Sequence, residues 1–95
     1  MPAYVLVDID VHDPARYARY KELAEKTVTD FGGRYLVRGG PTEALEGDWR
    51  PRRLVVLEFP SMERARAWWA SPEYAAAKAL RLETARSTML LADGL

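Results

Sequence analysis

Between Ala3 and Val11 the chain alternates without a break. Val5, Val7, Ile9 and Val11 share one face, and Tyr4, Leu6, Asp8 and Asp10 share the other. Period two marks a strand. The period then changes: Asp13-Pro14 supplies a helix N-cap with proline at the first helical position. Beyond it Tyr17, Tyr20, Ala24, Val28 and Phe31 recur at spacings of three and four, one apolar stripe on a helix of about 17 residues. Gly32-Gly33 ends it in the manner of a left-handed C-terminal cap. This strand-to-helix switch is the strongest constraint the sequence places on the fold.

The rest of the chain continues the pattern. Arg34 to Arg38 reads as a second strand, with Tyr35 and Val37 on one face and Arg34, Leu36 and Arg38 on the other. Gly39-Gly40-Pro41 breaks it, and Thr42 to Arg50 forms a hairpin-like connection carrying Gly47-Asp48-Trp49. Arg53 to Phe59 is the most apolar strand and Pro60 stops it. Ser61 caps a second helix holding Trp68 and Trp69, and Ser71-Pro72-Glu73 is a fresh helix start, which predicts a break there. A third helical piece runs to about Thr84, and Ser87 to Ala92 is the last strand. The order β-α-β-β-α-β is that of an α+β, ferredoxin-like domain spanning residues 1–95: a four-stranded antiparallel sheet with its helices on one face. No repeat beyond this approximate doubling and no linker interrupts it.

Composition narrows the partners. The 14 basic and 14 acidic residues cancel, so the surplus cation that nucleic acid or an anionic membrane surface requires is missing. The chain has no cysteine, which removes disulfides, thiolate nucleophiles and zinc ribbons. No signal peptide is visible at Met1-Pro2, because Asp8 and Asp10 break the apolar stretch. The longest aliphatic run, Leu54-Val55-Val56-Leu57, falls far short of the roughly 20 residues that span a bilayer. A cytoplasmic location is expected.

With both crossovers on one face, the other face of the sheet is left uncovered. Tyr4, Leu6, Leu36, Leu54 and Val56 are assigned to it, and at about 25 cal/mol per Å2 several hundred Å2 of such surface represents several kcal/mol. Two sheets packed face to face would remove it from water, predicting a homodimer in the form of a dimeric α+β barrel.

Asp8 and Glu58 fall on this uncovered face, and Arg34 and Arg38 on the same face of the adjoining strand. Charges on an apolar face cost several kcal/mol if buried unpaired. One reading is a ligand pocket, in which Asp8 and Glu58 are the acid/base candidates and Arg34 and Arg38 hold a carboxylate or enolate oxygen. The other is a network of ion pairs. A pocket of about 300 Å3 or more touching all four would favour the first. The assignment depends on register, since a one-residue slip of the second strand would move Arg34 and Arg38 to the other side. Tyr4, Trp49 and Tyr74 are further ligand-binding candidates: Trp49 as an interface anchor or a lid, Tyr74 bordering the pocket with Arg81 or lying in the core. Arg50, Arg52 and Arg53 read as a solvated run offset by Glu43, Glu46 and Asp48. His12, the only histidine, alternates with Asp8 and Asp10, but the outer two are about 13 Å apart along a strand, too far for one ion. No metal site is assigned. No phosphate-binding glycine loop and no strand–turn–helix elbow around a serine is present.

Several segments together resemble a known family. They are Ala3-Tyr4-Val5 with Asp13-Pro14, Gly32-Gly33-Arg34-Tyr35-Leu36-Val37-Arg38-Gly39-Gly40, Glu46-Gly47-Asp48-Trp49, Leu57-Glu58-Phe59-Pro60-Ser61, and Ser71-Pro72-Glu73-Tyr74 with Arg81. Their order and spacing resemble the domain of unknown function 1330 family, within the dimeric α+β barrel superfamily. The resemblance implies a ferredoxin-like dimer with a cleft between sheet and helices, and it implies no established activity. The superfamily includes cofactor-independent oxygenases, lactone isomerases, haem-degrading enzymes and binders without activity, so fold cannot choose among them. The expectation is a small-molecule site for an organic acid or aromatic metabolite. It would work without a cofactor, either by proton-transfer or oxygenase-type chemistry or as a non-catalytic or structural homodimer.

Overall fold

A computed structural model describes every residue from Met1 to Leu95. Its elements are β1 (Ala3–Val11), α1 (Pro14–Asp30), β2 (Arg34–Arg38), β3 (Leu54–Phe59), α2 (Met62–Ala70), α3 (Pro72–Thr84) and β4 (Ala85–Asp93). The strands form one antiparallel sheet in the order β2-β3-β1-β4. This is the ferredoxin-like α+β fold.

Local chemistry sets the boundaries. The Asp13 side chain accepts from the Arg16 amide at 3.3 Å, with Pro14 in the first turn of α1. At its other end Gly32 has φ +79 and the Gly33 amide reaches back to the Val28 carbonyl at 2.8 Å, so the helix closes on a left-handed residue. Ser71 serves two helices: it terminates α2, and its hydroxyl accepts from the Tyr74 amide at 3.1 Å to start α3. Three strand ends differ from the sequence reading: β3 begins at Leu54 rather than Arg53, β4 ends at Asp93 rather than Ala92, and the third is the start of β4. β4 begins at Ala85, directly after α3, rather than at Ser87. The Thr84 carbonyl accepts from the amides of His12 and Asp13 at the end of β1, which ties the helix-to-strand corner without a loop.

The core lies between the helices and one face of the sheet. Val5, Val7 and Ile9 of β1 and Val55, Leu57 and Phe59 of β3 meet Tyr17, Tyr20, Ala24 and Val28 of α1 and Trp68 and Tyr74 of α2 and α3. Of the tryptophan pair, Trp68 is buried, its indole N–H donating to the Thr27 hydroxyl at 3.0 Å, while Trp69 is exposed. The opposite face has no covering layer. Pairing to β1 places Leu54, Val56 and Glu58 of β3 there with Tyr4, Leu6 and Asp8, and Arg86, Thr88, Leu90 and Ala92 of β4 beside them.

One irregularity changes the site. The pairing of β2 with β3 shifts between Tyr35 and Val37: Tyr35 stands opposite Leu57, Val37 opposite Val56, and Arg38 opposite Val55. Leu36 is the extra residue of a β-bulge, and every residue after it changes face. Arg34 pairs with Glu58 on the open face. Arg38, placed by the sequence pattern on that same face, lies on the helix side.

Candidate functional site

The four charges assigned to one face by the sequence pattern are in three places. Arg34 Nε donates to Glu58 Oε1 at 2.8 Å, closing an ion pair at one end of the open face. Tyr4 stands opposite Glu58, and desolvation followed by the neighbouring carboxylate raises its phenol above the ordinary 10.0. Asp8 lies four residues along β1 from Tyr4, about 13 Å away. Both its oxygens are engaged, Oδ2 by the Trp49 indole N–H at 3.0 Å and Oδ1 by the Arg52 amide at 3.3 Å. Asp8 is therefore the post to which the segment between β2 and β3 is tied, and Trp49 lies at that end of the open face. Asp8 and Glu58 do not converge on one substrate-sized space.

The helix side gathers a different set. Arg38 lies with its guanidinium carbon 4.2 Å from the centre of the Tyr35 ring and pairs with Glu25 of α1 at 3.4 Å. Arg53, one residue before β3, shares the alternation of Val55, Leu57 and Phe59 and so points under α1 rather than into solvent. Its guanidinium carbon is 6.0 Å from the centre of the Tyr17 ring, and its Nε is buried without a hydrogen-bond partner. Gly39, at φ +75, gives it room: a side chain there would collide with the Arg53 guanidinium. Between these groups and the core is a cavity of about 20 Å3, lined by Tyr17, Tyr20, Tyr35, Lys21, Arg38, Arg53 and apolar neighbours. That is room for one water molecule or the end of a carboxylate. No acidic side chain lines it.

Burial raises the phenols of Tyr17, Tyr20 and Tyr35 above 10.0, with the arginines acting in the opposite direction. Tyr20 is lifted furthest, by deep burial first and then by the Tyr74 hydroxyl, its 2.9 Å hydrogen-bond partner. Tyr74 is wholly buried, its ring 4.2 Å from Trp68 centroid to centroid. It supports Tyr20 from the core and does not itself line the cavity. At neutral pH the cavity thus presents cations and neutral hydroxyl donors and no group that takes up a proton.

Sequence reasoning missed Arg53, Tyr17 and Tyr35 as site residues. For Arg53 a signal existed, since its odd-numbered parity with Val55 and Leu57 outweighs its membership of a basic run. His12 has no metal-binding company, for nowhere do three or more His, Cys, Asp or Glu side chains group as a metal ion would need.

The family model described as Domain of unknown function (DUF1330) matches residues 2–95. The chain belongs to this family. No curated protein matches it significantly. Among solved structures, this DUF1330 domain is similar to a protein of unknown function from Rhodopseudomonas palustris, with TM-score 0.78 and 19% identity over 99% of this chain and 82% of that one. It is similar to a dimeric ferredoxin-like protein of unknown function from Jannaschia sp. CCS1, with TM-score 0.67 and 15% identity over 99% of this chain and 100% of that one. It is also similar to SnoaB, a cofactor-independent oxygenase from Streptomyces nogalater, with TM-score 0.58 and 14% identity over 99% of this chain and 93% of that one. At such identities these likenesses show the DUF1330 domain's fold alone.

Proposed function

We propose that this DUF1330 domain is a homodimeric binding protein for a compact organic acid, aromatic or aliphatic, whose anionic end is taken by Arg38 and Arg53 beside the Tyr17 and Tyr35 phenols. The observation that carries the reading is a cavity lined by two guanidinium groups and three phenols with no carboxylate among them. Arginine and neutral phenol hold an anion by charge-assisted bonds. They do not abstract a proton at neutral pH, so the site is one for binding rather than for cofactor-free proton transfer. The carboxylates that could serve as a base, Asp8 and Glu58, are engaged on the other face. Admitting a ligand requires Arg38 to leave Glu25, an exposed ion pair worth at most about 1 kcal/mol, less than the bonds an arginine gains from a carboxylate, about 1.5–3 kcal/mol. The dimer is supported by the uncovered apolar face and by structural neighbours described as dimeric.

A thermal-shift series with benzoate, phenylacetate, succinate and their neutral amides tests the reading. A ligand at a hundred times its Kd adds about 2.7 kcal/mol, which in a domain of this size raises Tm by about 10 °C or more. At least one acid should do so while its amide does not, and Arg53→Met should abolish the shift. If every acid leaves Tm unchanged, the proposed function is wrong.

A further inference from the structure

A second and larger space lies on the helix side. A groove of about 580 Å3 runs between α2, α3 and the helix-facing side of β4. Its walls are apolar: Met89 and Leu91 from β4, Leu82 from α3 and Trp69 from α2. Trp69 and Leu82 are 49% and 67% exposed, an unusual display of large apolar side chains on a helix surface.

Arg81 also lines this groove and is only 5% exposed. Its Nη1 donates to the Ser87 hydroxyl, its Nε is buried with no partner, and no carboxylate comes within ion-pairing distance. A buried guanidinium with no counter-ion is costly and calls for a compensating anion. None of the residues lining the groove is acidic, and the second charged one is Arg66. On the rim Lys78 Nζ sits 3.7 Å above the Trp69 ring and donates to the Trp69 carbonyl at 3.0 Å, holding the indole in place.

We infer that this groove binds an amphiphilic monocarboxylate, a medium-chain alkyl acid. Its carboxylate supplies the missing partner of Arg81 beside the Ser87 hydroxyl, and its apolar chain lies along Met89, Leu91, Leu82 and Trp69. The volume falls within the range of about 300–1,000 Å3 usual for small-ligand sites. A multiply charged phosphate ester does not fit, because one guanidinium and one hydroxyl at the end of an apolar trough cannot satisfy it. The site shares neither arginine with the tyrosine cavity and stands or falls separately from it.

Decanoate below its micellar concentration and 1-decanol are the probes, titrated against intrinsic tryptophan fluorescence, since Trp68 and Trp69 both line the groove. Decanoate should bind the unaltered protein about tenfold more tightly than decanol, the difference one charge-assisted contact makes. In Arg81→Met the two should bind alike. Exchanging a buried unpaired charge for an apolar chain of similar length should leave the melt unchanged or raised, so loss of fold will not mimic loss of the site. Leu82→Ser, at an exposed position, should weaken both probes, and Arg53→Met should weaken neither. The inference is overturned if neither probe binds, if the unaltered protein does not distinguish them, if Arg81→Met retains the preference, or if Arg53→Met removes it.

Discussion

Tyr20 and Tyr74 share one buried hydroxyl–hydroxyl bond of 2.9 Å, and neither oxygen has another partner in the core. Tyr74→Phe should therefore cost about 1–3 kcal/mol, because it leaves the Tyr20 hydroxyl desolvated and unpaired. Adding Tyr20→Phe should recover a large part of that loss. Urea denaturation of the two single variants and the double variant measures the coupling, and simple additivity would contradict it. Three phenols beside the cavity set an alkaline limit. Tyr17, Tyr20 and Tyr35 have folded-state values raised above 10.0. Below pH 10 they are neutral in both states and contribute no pH dependence. As pH rises above 10 the unfolded chain ionises first and binds fewer protons than the native state, so stability falls. Denaturation midpoints should be level from pH 7 to 9 and drop by pH 11, a drop that Tyr20→Phe should reduce.

Most of the elements were legible because each carries its own local signal. The period-two face of β1, the Asp13-Pro14 start of α1, the glycine end at Gly32 and the double use of Ser71 all depend on neighbours in sequence, and all appear in the structure. The bulge in β2 carries no such signal. Neither Gly nor Pro lies between Arg34 and Arg38, and the extra residue is visible only against the partner strand. One inserted residue turns every later side chain of its strand to the opposite face, and so Arg38 leaves the company of Asp8 and Glu58 for that of Tyr35 and Glu25. Deleting Leu36 tests this. Without the extra residue a regular ladder should keep Val37 opposite Val56 and Arg38 opposite Val55. Arg38 should then stay on the helix side and the stabilisation by organic acids that depends on it should survive, while the fold, assessed by circular dichroism, is retained at a cost of about 1–3 kcal/mol. If the deletion variant folds but loses its response to acids, Leu36 is not the extra residue and the helix-side place of Arg38 is wrong.

Across the whole molecule, extents of 35 × 32 × 16 Å describe two layers, one of helices and one of sheet. Only one face of that sheet is packed. On the other, Tyr4, Leu6, Leu54 and Val56 are half-buried by one another and Leu90 is 64% exposed. The charges lie toward the ends of the strands, the Arg34–Glu58 pair near one and the Asp8–Trp49 contact near the other. Apolar surface in the middle with satisfied polar groups around it is the layout of an interface. At about 25 cal/mol per Å2, covering a few hundred Å2 on each of two copies is worth several kcal/mol, comparable to the whole stability of a domain this small. Association and folding should then be coupled, so Tm should rise with protein concentration across the micromolar range. Leu6→Glu, in the middle of the face, should give a particle of one-chain mass by light scattering. Its melt should be lower and independent of concentration, because a carboxylate opposed to its symmetry mate cannot be desolvated there. Arg66→Glu on the helix side should leave mass and melt unchanged. Were the unaltered chain already a one-chain particle at these concentrations, the sheet face would be an exposed surface and the proposed dimer would be excluded.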